Sequence, residues 1–197
     1  YEEAIHNFQS VIEIDPNHVE GHVHLGSSYA KLERSQEALG EFQVALDLDP
    51  GREQTYYQRG VTYGDLGLFQ EGLKSLQKAL NLNPNHLDTL LQLGRFNSIL
   101  GNYQEAANHL NKLLKLAPNY SEVGLLSGKN LVELNQFKSA LPHLEKAVQQ
   151  QPDSFEAQFY LGLNLNRLNR PANAIAPFQK AVKINPESAL TFNQLGQ

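Results

Sequence analysis

His18, His22 and His24 lie closest together of the seven histidines, and His18 and His22 stand at i, i+4. That spacing brings two imidazoles to one helix face, where they could share a metal ion. The chain has no cysteine to complete a ligand set, so packing and surface roles are expected and no metal. Gly67-Leu68-Phe69-Gln70-Glu71-Gly72-Leu73-Lys74-Ser75 has the outline of a phosphate-cradling loop. One residue too many separates Gly72 from Lys74, and the stretch joins two helical segments where a phosphate loop would follow a strand. No nucleotide or other cofactor is expected. Asn119-Tyr120-Ser121 is the lone glycosylation sequon, relevant only to a secreted eukaryotic chain. Serines, histidines and acids form no separable triad, so no catalytic residue and no enzymatic activity are expected.

The elements that would carry these residues follow a strict rule. Pro16, Pro50, Pro84, Pro118, Pro152 and Pro186 recur every 34 residues. A period of that length denotes one supersecondary unit used repeatedly. Ala4, Ala38, Ala106, Ala140 and Ala174 precede the prolines by twelve residues, with Gly72 in the remaining copy. Phe8, Phe42, Leu76, Leu110, Leu144 and Phe178 precede them by eight, and Gly26, Gly60, Gly94, Gly128 and Gly162 by twenty-four. Val19, His22, Val23, Leu25, Gly26, Tyr29 and Leu32 fall at helical spacing, as do Ala38, Leu39, Phe42, Ala45 and Leu46. Each copy is therefore two amphipathic helices with a turn near Glu33–Ser35, the second ended by proline. Asn17, Gly51, Asn85, Asn119 and Asp153 are read as N-caps. Glu20, Gln54, Asp88, Glu122 and Glu156, three residues on, are read as their capping partners at the positive end of the dipole, and not as a ligand row.

This frame resembles the tetratricopeptide repeat (TPR) over essentially the whole chain. The resemblance implies an all-α, right-handed superhelical solenoid of antiparallel helix pairs. The copies are expected at 19–52, 53–86, 87–120, 121–154 and 155–188, with partial copies at 1–18 and 189–197, all in one domain. It places His18 in an inter-repeat turn, His22 between helices and His24 on the concave side.

In this family the first helices line a concave groove that holds peptides. Carried over by repeat position, one groove row is Val23, Tyr57, Leu91, Leu125, Phe159 and Asn193. The adjoining row is His24, Gln58, Gln92, Leu126, Tyr160 and Gln194, and one turn later come Ser27, Val61, Arg95, Lys129 and Leu163. Apolar side chains in a groove commonly mark a protein-binding site, and the glutamines are two-way hydrogen-bonding groups suited to peptide backbone. The positions of a carboxylate clamp hold Val23, Ser27, Gln58, Asp88 and Gln92, or one copy later Tyr57, Val61, Gln92, Glu122 and Leu126. The first set has no basic residue and an acid that repels a carboxylate; the second is no better matched. Capture of a chaperone's C-terminal tail is not expected.

A formal charge of −5 without a basic cluster argues against nucleic acid. No apolar run reaches the roughly 20 residues of a membrane span, and no signal-peptide pattern is present. The cytoplasm is the first expectation and the periplasm the second. The expected function is a protein–protein interaction scaffold that binds a peptide or protein and helps assemble a complex. The alternative is a recruiting arm of a larger enzyme or export machine, such as a glycosyltransferase or a polysaccharide-secretion protein. Self-association is a third expectation, through ends that expose Ile5, Phe8 and Ile12 at one side and Phe192 and Leu195 at the other.

Overall fold

Every repeat proline falls in the short turn that closes a second helix. The structure, a computed structural model, describes residues 1–120 and 122–188. The last partial copy, with Phe192, Asn193, Gln194 and Leu195, lies outside the described residues, as does Ser121 of the sequon. Eleven helices occur among the described residues: α1 (Glu2–Ile14), α2 (Val19–Lys31), α3 (Ser35–Leu48), α4 (Glu53–Asp65), α5 (Phe69–Leu82), α6 (Leu87–Ile99), α7 (Tyr103–Leu116), α8 (Val123–Glu133), α9 (Phe137–Gln150), α10 (Phe155–Arg167) and α11 (Pro171–Ile184). Apart from α8, first helices have 13 residues and full-copy second helices 14, each starting 34 after its predecessor.

The turn inside each copy needs one residue in the left-handed region. Glu33, Gly67, Gly101, Asn135 and Asn169 occupy it, with φ of 60°, 72°, 77°, 56° and 60°. The amide of Arg34 then reaches back to the carbonyl of Tyr29, and that of Leu68 to Tyr63, closing the helix end. Gly67 is therefore a turn glycine, which accounts for half of the false phosphate loop.

The caps differ from the sequence reading. At Pro16, Pro50, Pro84 and Pro186 the next residue is held by an Asx turn, as where Asp15 Oδ1 accepts from the amide of Asn17 at 3.1 Å and Asp49 Oδ1 from Gly51 at 3.0 Å; Ala117 and Gln151 give Pro118 and Pro152 no such turn. The N-cap falls one residue later. His18 Nδ1 accepts from the amide of Gly21 at 2.9 Å, His86 Nδ1 from Thr89 at 3.3 Å, and Ser154 Oγ from Ala157 at 3.3 Å. Glu20, Gln54, Asp88 and Glu156 thereby move to the second helical position, near the dipole but outside a capping box. Glu122 is itself the N-cap of α8, with helical backbone, and that helix is only 11 residues long.

Packing divides the chain into two compact units, 1–100 and 101–197. In the first unit, helices pack in sequence from α1 to α6, and the first helix α4 also touches both α2 and α6. In the second, α7 to α11 pack in sequence and α8 touches α10. The repeat glycines permit the close approach within each pair. A Cβ on Gly26 would stand 2.8 Å from the Phe42 ring, one on Gly60 2.7 Å from Leu76, and one on Gly162 2.7 Å from Phe178. These contacts are well inside the 3.5–4.0 Å of normal carbon contact. Phe42, Leu76, Leu110, Leu144 and Phe178 are buried as the period predicts.

One copy solves the problem differently. Phe96 of α6 inserts between α4 and α5, where added Cβ atoms on Gly64 and Gly72 would meet its ring at 2.2 and 2.6 Å. It packs edge-on to Phe69, with ring centroids 5.2 Å apart. Gly72 replaces the usual alanine because this aromatic fills the space. Ile5 is buried, and Phe8 and Ile12 pack partly buried on the cluster of Leu25, Tyr29, Ala38 and Phe42. The apolar face of α1 is thus engaged by its own neighbours.

Candidate functional site

The turns between copies present proline carbonyls that side chains of the following copy take as partners. His22 Nε2 is 3.0 Å from the Pro16 carbonyl, and its Nδ1 is 2.7 Å from Glu41 Oε2. Gln158, in the same repeat slot, donates from Nε2 to the Pro152 carbonyl at 2.8 Å. Gly124 fills this slot in another copy, and there Lys146 Nζ donates to the Pro118 carbonyl at 2.9 Å instead. His22 is therefore a structural tie. His18 is a cap, and His24 is exposed and stacks on Phe8 at 5.1 Å. The three histidines have three different jobs, and no group of three or more metal-binding side chains occurs among the described residues.

The groove rows are not uniform stripes. Val23 and Tyr57 are half-buried and Leu91 is buried. In the second unit Leu125, Phe159, Tyr160 and Leu163 pack against the cluster of Leu131, Leu144, Leu161 and Phe178. The Phe159 and Phe178 ring centroids are 6.0 Å apart. These four side chains hold neighbouring helices together as well as bordering the face. Lys129 Nζ donates to Glu156 Oε1 at 2.9 Å and lies 5.1 Å above the Tyr160 ring. Arg95 is exposed.

Between α2 and α4 the same face opens into a cavity of about 270 Å³. Ser27, Tyr57, Gln58 and Val61 line it, all of them groove positions in the sequence reading, and Ala30, Phe42 and Thr62 complete its walls. Lys31, Gln54 and Asp65 stand at its rim, exposed. Tyr57 is anchored by an edge contact to His86, with centroids 5.1 Å apart, and by a hydrogen bond to Gln92. Burial, with Asp88 nearby, pushes its hydroxyl pKa up. Burial and then Glu33 push the Asp65 carboxyl up, against the opposing charge of Lys31. Gln58 Oε1 is buried with no hydrogen-bond partner.

The reason for the opening lies in three slots. Ser27, Gln54 and Gln58 stand where α8 and α10 carry Lys129, Glu156 and Tyr160, each 102 residues later. There an ion pair and a ring occupy the space; here a short hydroxyl and two neutral amides leave it empty. The rim charges are reversed as well, with Lys31 and Asp65 against Glu133 and Arg167. Sequence reasoning missed Phe42 and Thr62 as lining residues and took Gln54 for a capping partner. A slot-by-slot comparison of the copies would have exposed the contrast.

Two tetratricopeptide repeat family models match the sequence, one over residues 1–53 and 125–189 and the other over 51–119. The chain belongs to the tetratricopeptide repeat family. Among solved structures it is similar to YrrB, described as a TPR protein with an unusual peptide-binding site. Identity is 21%, coverage is 96% of this chain and 98% of YrrB, and the TM-score is 0.88. It is also similar to MamA, at 22% identity, with 87% and 94% of the two chains covered and a TM-score of 0.78. MamA from Desulfovibrio magneticus RS-1 gives 20%, 87% and 97%, and 0.78. At these identities the likeness is one of fold. No curated protein matches the sequence. No helix among the described residues is long and apolar enough to cross a membrane.

Proposed function

We propose that this TPR chain is a non-enzymatic scaffold that holds a peptide or protein partner on the face formed by its first helices and so helps assemble a complex. The observation that carries the reading is the cavity between α2 and α4, lined by Ser27, Tyr57, Gln58 and Val61. Those positions belong to the groove rows that the family uses for peptides. The peptide-binding site described for YrrB, a protein of the same fold, gives the reading further support. Contacts are mainly apolar and amide in kind, since the charged Lys129 is already paired with Glu156.

The test is selection of peptides from a random displayed library against the full chain, followed by calorimetry of the best binder. Tyr57→Ala is expected to weaken that binder by about 1–3 kcal/mol, the scale of an interface hot spot. Affinity should change little with salt, because few screened charges take part. Selected peptides that bind Tyr57→Ala and Gln58→Ala as well as the parent chain would move the site away from this face. Failure to select any binder would remove the proposal.

A further inference from the structure

The last turns of the second helices repeat one pattern with a changing sign. Two residues before the repeat proline stand Ile14, Leu48, Leu82, Leu116, Gln150 and Ile184, and three before it Glu13, Asp47, Asn81, Lys115, Gln149 and Lys183. The five apolar members of the first row are all exposed, Ile14 by 87%. Beside this constant apolar side chain the charge changes from acid in α1 and α3 to base in α7 and α11. The chain as a whole follows the same trend. Residues 1–50 hold ten acids and two bases, while residues 51–197 hold eleven acids and fourteen bases.

The acids stand at the wrong end of their helices. Glu13 and Asp47 lie in last turns that hold no basic residue, where the carbonyl end of the dipole is already negative. Lys115 and Lys183 suit the same place in α7 and α11. Among the described residues Glu13 and Asp47 have no Lys or Arg partner, and Lys115 and Lys183 have no acid. Asp47 meets only the side-chain amide of Gln43, at 2.7 Å. Nearby cations are committed elsewhere, Arg34 to Glu37 and Arg52 to Glu20. Each half of the pattern lacks what the other half offers, and an exposed apolar side chain lies beside both.

We propose that this surface takes a second copy of the chain: the last turns of α1 and α3, with Glu13, Ile14, Asp47 and Leu48, dock on the lysine-bearing last turns of α7 and α11 of that copy. Exposed ion pairs are individually weak, so the apolar neighbours supply contact area while the charges decide which turn meets which. The contact lies on second helices and uses none of Ile5, Phe8 and Ile12, which pack inside the chain. It is independent of the peptide face on the first helices, and either can fail without the other.

Sedimentation velocity of the full chain over a wide concentration range is the test. Association that grows with concentration is expected, weakened about ten-fold or more in about 1 M salt, where the screening length falls to about 3 Å. A charge swap then assigns the surfaces. The acid-reversed variant (Glu13→Lys, Asp47→Lys) and the base-reversed variant (Lys115→Glu, Lys183→Glu) should each stay monomeric with helicity retained. Mixed together they should associate, because every reversed turn then finds its opposite. If the base-reversed variant does not fold, the acid-reversed one still decides, since it should not bind itself yet should bind the parent chain. A parent chain that is monomeric throughout, association indifferent to salt, self-association kept by both variants, or folded variants that ignore each other overturns the proposal. A monomeric parent that instead binds polylysine through Glu13 and Asp47 overturns it too, and assigns the face to a foreign basic partner.

Discussion

Substituting Gly64 by alanine tests the one place where this repeat array departs from its own rule. Alanine in a helix interior is about 1 kcal/mol better than glycine, and Ala30 and Val132 occupy the same slot in other copies. On propensity alone the change should stabilise. The structure says otherwise, because the new Cβ would stand 2.2 Å from Phe96 Cζ, and Phe96 is only 6% exposed. Normal contact needs 3.5–4.0 Å, so the ring must retreat by more than 1 Å inside a packed site. Overpacking of this kind costs typically about 1–3 kcal/mol, which cancels the propensity gain of about 1 kcal/mol and leaves a net loss of up to about 2 kcal/mol. Phe96→Ser, which copies Ser28 of the first full copy, removes the obstacle. In that background Gly64→Ala should stabilise by about 0.5–1 kcal/mol, giving a coupling of about 2 kcal/mol between the two positions. Urea denaturation followed by helical circular dichroism, on the four corners of the cycle, measures it. A gain in the parent background, or the same loss with and without Phe96, would refute the packing argument.

Three further outcomes follow from other features. Glu33 sits at φ 60°, a conformation glycine adopts freely, so Glu33→Gly should raise stability by about 0.5–1 kcal/mol in the same denaturation assay, while Gly67→Ala should lower it. Gln158→Leu strips the Pro152 carbonyl of its donor and should cost about 1–3 kcal/mol, with Gln158→His, the arrangement of His22, recovering part of the loss. Burial holds His109 and His143 below the ordinary 6.5, aided by Lys112 and Lys146 respectively and opposed at His109 by Glu105. The unfolded chain therefore binds these protons first, so their contribution is full above pH 6.5 and falls away as pH drops through 6.5 toward the folded values. Thermal melts between pH 8 and 5 should show this decline, and His143→Gln should flatten it; an unchanged slope would exclude His143 as a cause.

The fold was legible because it is written several times over. A proline that ends a helix, a glycine under a large side chain and a buried alanine mean little once, but at a fixed interval each confirms the others. What escaped was local chemistry with no repeated signature. Asn17 and Gly51 look like caps, yet Asp15 and Asp49 hold their amides in turns and hand the cap to the next residue. Phe96 reads as an ordinary helix residue until Gly64 and Gly72 are seen around it. The groove rows do not stay separate from the packing: Leu125, Phe159, Tyr160 and Leu163 also lie against the core of the second unit. The cavity was invisible because it arises from what Ser27, Gln54 and Gln58 lack relative to Lys129, Glu156 and Tyr160, and an absence shows only when copies are laid side by side.

The ties that three copies make to the proline before them have a bearing on how such a chain can be rebuilt. His22, Lys146 and Gln158 each secure a carbonyl belonging to the preceding copy, using three unlike side chains. The join is therefore directional, and its fastener travels with the downstream module. Gly124 and Lys146 illustrate this, since both lie within 121–154 and the second compensates for the first. The modules that begin after Pro16, Pro118 and Pro152 carry their own fastener, so each can be excised, doubled or moved with that seam still closed. A cut placed between the two helices of a module would separate Gly124 from Lys146 and leave a seam open.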